Sequence, residues 1–430
     1  MGRFSHFCFL ILSVCFLAIP AEAQARRSQN TLTYMSSQDW VKKAELDLGK
    51  RFEQETGIRV EYEIIPSEQY QRLLKVRLYT TEMPDIFGNQ SGDFDIVSLL
   101  DIEKNGTDLS REEWVSRLDP LAKAQVSVNG KVYGFPFGDI SGGWGIVYNK
   151  KIFERLKLPV PETYAQLREI CGRILRSGVV PFYECLSDGW HHVLWFPELG
   201  GKFEQDSPGL AAKLNHHRAT FAQNQTMLTV LGQLRELFAL GYFGNSYASN
   251  TYADTEKSMA SGKYAMTVGN LSLPSKIEAA YPESRASDFG FFVIPLADNQ
   301  ILSVNPAMPS KFIYSKSKNG EAAKKYFAFL ARPENLQYLV DHQPDFLTLP
   351  YQGAKGKASE EVRAVFQRYT VRATAYQTQV KYLNPQWMDI GKDMTAMIFG
   401  NESPSSVLAN IDARRAEMAR MARDPAWATH

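Results

Sequence analysis

The sequence is poor in the residue patterns that mark disulfide scaffolds and metal sites. It has four cysteines among 430 residues, and two of them, Cys8 and Cys15, lie in an apolar stretch near the start. No C-x-x-C, H-x-x-x-H or H-E-x-x-H pattern occurs, so the ligand spacings typical of zinc are missing. The adjacent His191 and His192 would point about 100° apart on a helix and would not readily share one ion. We predict no metal site and no cofactor.

Excess charge of one sign and long apolar runs are also missing. Lys and Arg total 48 against 47 Asp and Glu, a formal net charge of +1, and no long basic run indicates a nucleic-acid partner. After the first residues no apolar segment of about twenty residues occurs, so a multi-span membrane protein is not indicated. The length of 430 residues predicts two domains, because single cores stop growing at roughly 250 to 300 residues.

The first residues have the pattern of an export signal. Arg3 precedes an apolar stretch over 7–19, and Ala21-Glu22-Ala23 fits the small-x-small cleavage pattern. Residues 1–23 are therefore predicted to be a signal peptide that is removed, so that the mature chain begins at Gln24. We expect a periplasmic or secreted protein.

Two questions remain open after this assignment. A lipoprotein would require cleavage before Cys15, but Val14 is a poor residue for that position, so cleavable export is favoured. The remaining Cys171 and Cys185 could pair as a disulfide in an oxidising compartment, or could stay as a buried free pair.

Hydrophobic periodicity predicts alternating strands and helices. Residues 31–35 (TLTYM) indicate a strand, about 38–55 a helix, and 58–65 (IRVEYEII) a half-buried strand in which apolar and polar residues alternate. A helix over about 69–79 and a short strand at the end of TTEMPDIF continue the alternation. This order is typical of an α/β fold with mainly parallel sheets flanked by helices.

Later segments predict how the chain passes between two lobes. Asn129-Gly130 indicates the turn of a hairpin, and the apolar strand over 143–149 is predicted to leave the first lobe. The segment to about Tyr281 is mostly helical, and 288–296 (DFGFFVIPL) is predicted as the return crossing. The predicted limits are 24–140 plus about 293–330 for lobe 1, and 141–292 plus about 331–430 for lobe 2.

Patterns for catalysis are incomplete. A hydrolase nucleophile would need G-x-S-x-G, and in GNQSG, residues 88–92, the serine stands one place too late. No Gly-rich loop followed by Lys-Ser/Thr indicates a nucleotide site. A glycosidase needs two facing carboxylates, and spacing alone selects no pair among 47 acidic residues. We therefore predict a binding protein with no catalytic residues.

Polar and aromatic residues instead follow two apparent strands. SSQDW (36–40) and GNQSG stand where open α/β sheets bind ligands, beyond the carboxyl ends of the strands. SDGW (187–190) combines an indole ring, which suits the C–H face of a sugar, with a carboxylate, which can fix hydroxyl groups. These segments predict a saccharide cleft.

Several motifs in register resemble the family 1 extracellular solute-binding proteins of ABC importers, the sugar-binding, maltose-binding-protein-like group. They are LGKRFEQETGIRVEYE, EMPDIFGNQSG, GIVYNKKIFERLKLPVPETYAQL, MASGKYAMTVGNLSLPSKI and MTAMIFGNESPSSVLANID, in the family's order. The resemblance implies a two-lobed periplasmic-binding-protein fold of type II, with a hinge that closes the lobes on a ligand. It also implies that the closed, loaded form is recognised by a membrane permease.

The resemblance also implies the ligand-binding residues. Aromatic platforms and a carboxylate come from the second lobe, polar loops from the first, and two further residues from the crossing and the Gly-Asn loop. They are Trp190, Trp387, Asp188, Ser37, Gln38, Trp40, Asn89, Gln90, Trp144 and Asn270. Family members often carry Trp where this chain has Leu271, so we expect a short oligosaccharide or monosaccharide rather than a long maltodextrin.

The sequence therefore predicts a monomeric binding protein that captures a carbohydrate between its lobes and delivers it to ABC permease subunits. Two alternatives stay open. The same lobes could present the ligand to a membrane sensor or chemoreceptor, or the chain could be an exported carbohydrate-active enzyme.

Overall fold

The computed structural model of the protein describes residues 30–139 and 143–427, without the side chains of Asp93 and Phe94. The predicted signal peptide and its lipoprotein alternative fall outside these residues. The strands are β1 (Thr31–Ser37), β2 (Arg59–Ile65), β3 (Ile86–Gln90), β4 (Ser127–Val128), β5 (Lys131–Val132), β6 (Gly134–Pro136), β7 (Trp144–Asn149), β8 (Val180–Tyr183), β9 (Tyr264–Asn270), β10 (Phe289–Phe292), β11 (Leu302–Val304), β12 (Pro309–Ile313) and β13 (Arg372–Thr374).

Helices connect and cover these strands. They are α1 (Lys43–Thr56), α2 (Ser67–Thr80), α3 (Asp93–Ser98), α4 (Ile102–Asn105), α5 (Pro120–Gln125), α6 (Lys150–Arg155), α7 (Tyr164–Arg176), α8 (Gly200–Asp206), α9 (Leu210–Asn215), α10 (Gln225–Ala239), α11 (Thr255–Ala260), α12 (Leu273–Ala280), α13 (Gly320–Leu330), α14 (Pro333–His342), α15 (Glu360–Arg368), α16 (Tyr376–Gln379), α17 (Trp387–Ile398) and α18 (Pro404–Met421). Short 3-10 turns include His191–Trp195, Pro197–Leu199, Tyr252–Asp254 and Asn384–Gln386.

Local chemistry explains where the first elements end. α1 stops at Gly57, whose left-handed φ of 71° lets its N–H bond the carbonyl of Glu53. The helix begins at Lys43 rather than near Gln38, because Asp39 has a φ of 68° and residues 38–40 form a turn. The predicted hairpin is confirmed: Asn129 and Gly130 both have positive φ and join β4 to β5.

The first sheet has the strand order β2-β1-β3-β12-β6. β1 is parallel to β2 and β3, because helices carry the chain back between them. β12 runs antiparallel to β3 and β6, because it enters this sheet on the return from the second lobe. The sheet is therefore mixed, not mainly parallel as predicted.

The second sheet has the order β10-β7-β9-β8, and only its β8–β9 pair is parallel. β10 pairs with β7, with Phe289 opposite Asn149. The segment predicted as the return crossing thus lies inside the second sheet, and the return follows β11 instead. A buried apolar strand has the same sequence pattern in either role, which explains the error.

Each main sheet has its own core. Leu336, Leu339 and Tyr351, predicted for lobe 2, pack into the core of the first sheet, whereas Val293 and Leu302, predicted for lobe 1, pack into the core of the second. On this packing we propose to move the predicted limits, so that lobe 1 comprises 30–139 and about 309–351 and lobe 2 comprises 143–308 and about 352–427.

Two further observations concern the chain as a whole. Cys171 and Cys185 are free and fully buried in the second core, so of the two alternatives left open the free pair is found. Across 30–139 and 143–427, no helix combines the length and apolar character that a membrane crossing requires.

Candidate functional site

The turn after β1 and the loop after β8 lie close to each other across the gap between the lobes. The pKa of the Asp188 carboxyl, in the second lobe, is raised mainly by burial and further by the carboxylates of Asp39 and Glu68, which belong to the first lobe. Such charge effects fade beyond roughly 10 Å in salt solution, so the two segments are neighbours. The space between these segments is therefore the candidate ligand cleft.

Three predicted residues form the first-lobe side. Ser37 is buried and its Oγ donates to the Oγ of Ser67 at 3.3 Å. The backbone N–H of Gln38 donates to the carbonyl of Ile65 at 2.8 Å, which fixes the turn. The ring of Trp40 packs edge-on against Tyr70, with 5.5 Å between centroids. Gln38 and Trp40 are partly exposed, so an amide and an indole are accessible at this turn.

The residues predicted in the next loop belong to the end of β3 instead. Asn89 is fully buried, its Nδ2 donates to the Gln90 carbonyl at 2.9 Å, and its Oδ1 accepts from Gln71 at 3.0 Å. Both ends of this amide are thus engaged inside the lobe. Gln90 is partly exposed and is the better placed of the two for direct contact with a ligand.

Three rings of the second lobe form what we call the aromatic wall, consisting of Trp144, Trp190 and Tyr252. The Trp190 ring lies 4.9 Å from that of Tyr252 and 6.1 Å from that of Trp144, both in edge-to-face geometry. All three are partly exposed. Edge-to-face packing holds the three rings in place on the second lobe.

A buried histidine supports the aromatic wall from behind. The His191 ring lies 5.2 Å from Trp190, 5.3 Å from Tyr252 and 6.0 Å from Trp144. Its Nδ1 lies 2.5 Å from Glu184 Oε1, and Trp195 Nε1 donates to the other carboxylate oxygen at 2.6 Å. Burial raises the pKa of Glu184, but His191 and these hydrogen bonds outweigh it and leave the pKa below its ordinary value.

Potential metal ligands meet at this support. One ligand atom each from Glu184, Cys185 and His191 lie within 4.8 Å of one another, and all three residues are buried. Burial raises the pKa of the Cys185 thiol well above its ordinary value, which disfavours the thiolate that metals require. His192 points elsewhere, with its Nε2 2.8 Å from the carbonyl of Gly391. The chemistry of this group is that of a hydrogen-bonded support.

The other predicted second-lobe residues fix the loop that carries Trp190. Trp387 Nε1 donates to the carbonyl of Trp190 at 2.9 Å, and the Asp188 carboxylate accepts from the backbone N–H of Tyr252. Asn270 stands directly opposite Trp144 in the β7–β9 register. Trp144, Asp188, Asn270 and Trp387 are therefore brought together with Trp190 on one side of the candidate cleft.

Sequence reasoning missed two residues there. Tyr252 lies in a single 3-10 turn without periodicity, and burial raises the pKa of its hydroxyl to about 12, so it stays protonated as a donor. Lys276 lies over that ring at 5.1 Å and pairs with Glu256 at 2.8 Å. For Tyr252 the only available signal was its aromatic residue type, which also occurs throughout both cores.

Comparison with known proteins gives consistent matches. The family described as bacterial extracellular solute-binding protein matches residues 36–337. The melibiose/raffinose/stachyose-binding protein MelE of Bacillus subtilis (strain 168) is 23% identical over 353 residues, which cover 78% of this chain and 79% of that protein. A multiple sugar-binding protein of Streptococcus mutans serotype c is 24% identical over 340 residues, covering 75% and 76%.

Solved structures share the fold. A sugar transporter from Bacillus licheniformis in complex with stachyose aligns with a TM-score of 0.74 at 18% identity, over 90% of this chain and 100% of that chain. This match confirms the predicted two-lobed α/β fold. The matched proteins are named for binding and transport rather than for catalysis.

Proposed function

Because the chain belongs to the family of bacterial extracellular solute-binding proteins, we propose that it captures a short saccharide between its lobes and delivers it to an ABC importer. The observation that carries this proposal is the aromatic wall together with the neighbouring Asp188, whose pKa is raised by burial and further by the carboxylates of Asp39 and Glu68 in the first lobe. Indole and phenol faces suit the C–H faces of pyranose rings, whereas amides and carboxylates suit their hydroxyl groups.

The relatives support a particular set of sugars. MelE is named for melibiose, raffinose and stachyose, and the aligned transporter binds stachyose. In this chain Leu271 is 4% exposed and packs into the second core, so it offers no stacking face. The proposed ligand is accordingly a short galactose-containing oligosaccharide of this series.

The proposal also includes the export, processing, oligomeric state and membrane partner of the protein. Family membership supports export from the cytoplasm, and we propose cleavage before Gln24, a monomeric mature protein and transfer of the sugar to permease subunits. We further propose that the bound sugar is released unchanged.

A ligand screen tests the proposed function. The mature chain is heated with melibiose, raffinose, stachyose, maltose, or a mixture of amino acids. A ligand at about 100 times its Kd should add roughly 2.7 kcal/mol to the free energy of unfolding. We expect raffinose or stachyose to raise Tm. Stabilisation by amino acids and by no saccharide would overturn the carbohydrate assignment.

Chromatography of the same incubations tests for catalysis. We expect the oligosaccharides to be recovered intact after prolonged incubation. Release of free galactose in proportion to the protein concentration would show hydrolysis and would replace the binding-only proposal with an enzymatic one.

A further inference from the structure

One buried carboxyl group joins two segments that cross between the lobes. Glu198 is 3% exposed in the 3-10 turn Pro197–Leu199. It accepts a hydrogen bond from the Ser303 hydroxyl, and the backbone N–H of Trp144 lies close enough to lower its pKa. Trp144 begins β7, where the first crossing arrives, and Ser303 lies in β11, where the second crossing departs. The carboxyl group therefore lies where the two crossings meet, beside the backbone of Trp144.

The two crossings touch at this point. A Cβ on Gly143 would lie 2.0 Å from the carbonyl oxygen of Ser303, so the two backbones pass in direct contact. On the other side, a Cβ on Gly200 would lie 2.5 Å from the ring of Tyr376, and one on Gly201 would lie 2.6 Å from Ala373. Glu198 thus lies in a closely packed junction, in which we expect a movement of one crossing to disturb the other.

The second crossing continues from this junction to the first lobe through side-chain amides. Asn305 donates to Gln377 at 2.9 Å, Gln377 donates to Asn384 at 2.7 Å, and Asn384 donates to Asp95 of the first lobe at 2.8 Å. These bonds link the junction to the relative position of the lobes. A shift in the position of Ser303 can therefore alter the contact between the two lobes.

The buried environment of Glu198 disfavours the ionised form of its carboxyl group. Burial raises its pKa to about 7, against the smaller opposing effects of the Ser303 and Trp144 hydrogen bonds. Among the described residues, none donates a hydrogen bond to Oε1. Above neutral pH this oxygen would carry charge without a donor, and such a group is costly unless water reaches it.

The charged and titratable groups on the neighbouring elements contact residues other than Glu198. Their partners are Glu184 and Val268 for His191, Gly391 for His192, Asp206 for Lys202, Tyr376 for Glu204, the Phe366 ring for Arg372 and the Phe292 ring for Tyr148. None of these groups contributes to the shift at Glu198. Its titration is therefore governed by burial and by the two hydrogen bonds.

We propose that Glu198 is a positioning residue of the hinge, which makes lobe closure dependent on pH near neutrality. The protonated carboxyl favours the conformation described here, with the crossings in contact. The ionised carboxyl favours a more open conformation, because separation of the crossings admits water to Oε1. A matching pH dependence of saccharide affinity rests on the proposed function, whereas the hinge movement itself does not.

Interlobe distances in the unliganded full mature chain test the hinge. Lys50→Cys in α1 and Ala239→Cys at the end of α10 are exposed positions for spin labels, and the two native cysteines are buried. From pH 6 to 8.5 we expect pulsed electron resonance to show a growing population at longer distance, with a midpoint near 7. Glu198→Gln should abolish this response.

Two more variants make the outcome specific. Ser303→Ala removes a hydrogen bond that lowers the pKa of Glu198, so its midpoint should move to higher pH. Glu236→Gln, a matched control whose carboxyl group contacts Tyr164 and Arg168 instead, should keep the wild-type profile. A pH-independent wild type, the wild-type response in Glu198→Gln, or an unmoved midpoint in Ser303→Ala would overturn the proposal. If Glu198→Gln fails to fold, the midpoint of Ser303→Ala decides whether the proposal holds.

Raffinose titrations separate this proposal from the proposed function. If raffinose binds, its Kd should rise roughly threefold to tenfold from pH 6 to 8.5 in the wild type and stay constant in Glu198→Gln. The same rise in both chains would count against Glu198. Failure of every saccharide to bind would remove the proposed function, and the distance measurements would still decide the hinge.

Discussion

At the scale of single residues, Trp190 is the strongest candidate for direct ligand contact. Its ring packs edge-on against Trp144 and Tyr252 and remains partly exposed. Trp190→Ala removes this surface, and loss of ring burial and stacking should cost about 2 kcal/mol of binding. We expect the Kd for the best saccharide to rise by roughly thirtyfold in isothermal titration calorimetry.

A nearby tryptophan supplies the matched control. Trp195 is fully buried, and its Nε1 donates to Glu184. Trp195→Phe should lower Tm, because a carboxylate oxygen loses its donor. Its Kd should rise far less than that of Trp190→Ala, because Trp195 reaches the aromatic wall only through Glu184 and His191. An unchanged Kd in Trp190→Ala, or a stability loss of about 3 to 5 kcal/mol typical of a truncated core residue, would place Trp190 in the core.

Residue type allowed some residues of the candidate cleft to be chosen from the sequence. The others depend on burial, which the sequence does not reveal. Trp190 and Asp188 could be chosen because an indole beside a carboxylate suits a sugar. Tyr252 and Glu198 could not, because their chemistry arises only when distant segments enclose them. Glu198, for example, gains its raised pKa from a junction that includes Ser303, more than a hundred residues later in the chain. No local pattern encodes such an environment.

At the scale of elements, the packing of α17 determines the position of the Trp190 loop. A Cβ on Gly391 would lie 1.9 Å from the carbonyl oxygen of Gly189. Gly391→Ala should therefore push α17 away, weakening the bond from Trp387 to Trp190 as well. We expect a loss of about 2 to 3 kcal/mol in chemical denaturation, together with weaker saccharide binding.

A second helical glycine controls for helix propensity. Gly232 lies inside α10, and a Cβ there would meet nothing within 4 Å. Gly232→Ala should stabilise the protein by about 0.5 to 1 kcal/mol and leave the Kd unchanged. Equal stability of the Gly391→Ala variant and the wild type would mean that α17 shifts without cost, contrary to our interpretation.

Elements were predictable where local chemistry specifies them, and strand direction was not. The Asn129-Gly130 turn and the stop of α1 at Gly57 follow from the φ values that these residues allow. β10 and β12 are short strands of four and five residues, and their sequences do not specify the strand beside which each one pairs. Their antiparallel pairing depends on where the chain crosses between lobes, and this is a property of the whole fold.

At the scale of the whole molecule, ligand affinity depends on how readily the lobes close. The hydrogen bond from Asn384 in the second lobe to Asp95 in the first contributes to the contact between them at 2.8 Å. Hydrogen bonds to charged groups contribute roughly 1.5 to 3 kcal/mol net of competition from water, and we expect less from this part-buried bond. In the proposed mechanism the lobes close on the ligand, so a weaker interlobe contact should lower affinity without removing any ligand contact.

Asn384→Ala should therefore raise the Kd about fivefold, equivalent to roughly 1 kcal/mol. The dissociation rate should increase and small-angle scattering should report a larger radius of gyration without ligand, because more of the population is open. Asn410→Ala is the matched control, since its amide bonds Glu402 within one lobe, and we expect it to bind as the wild type does. If Asn384→Ala left affinity and scattering unchanged, the interlobe bond would not contribute to closure, and affinity would be set by the cleft residues alone.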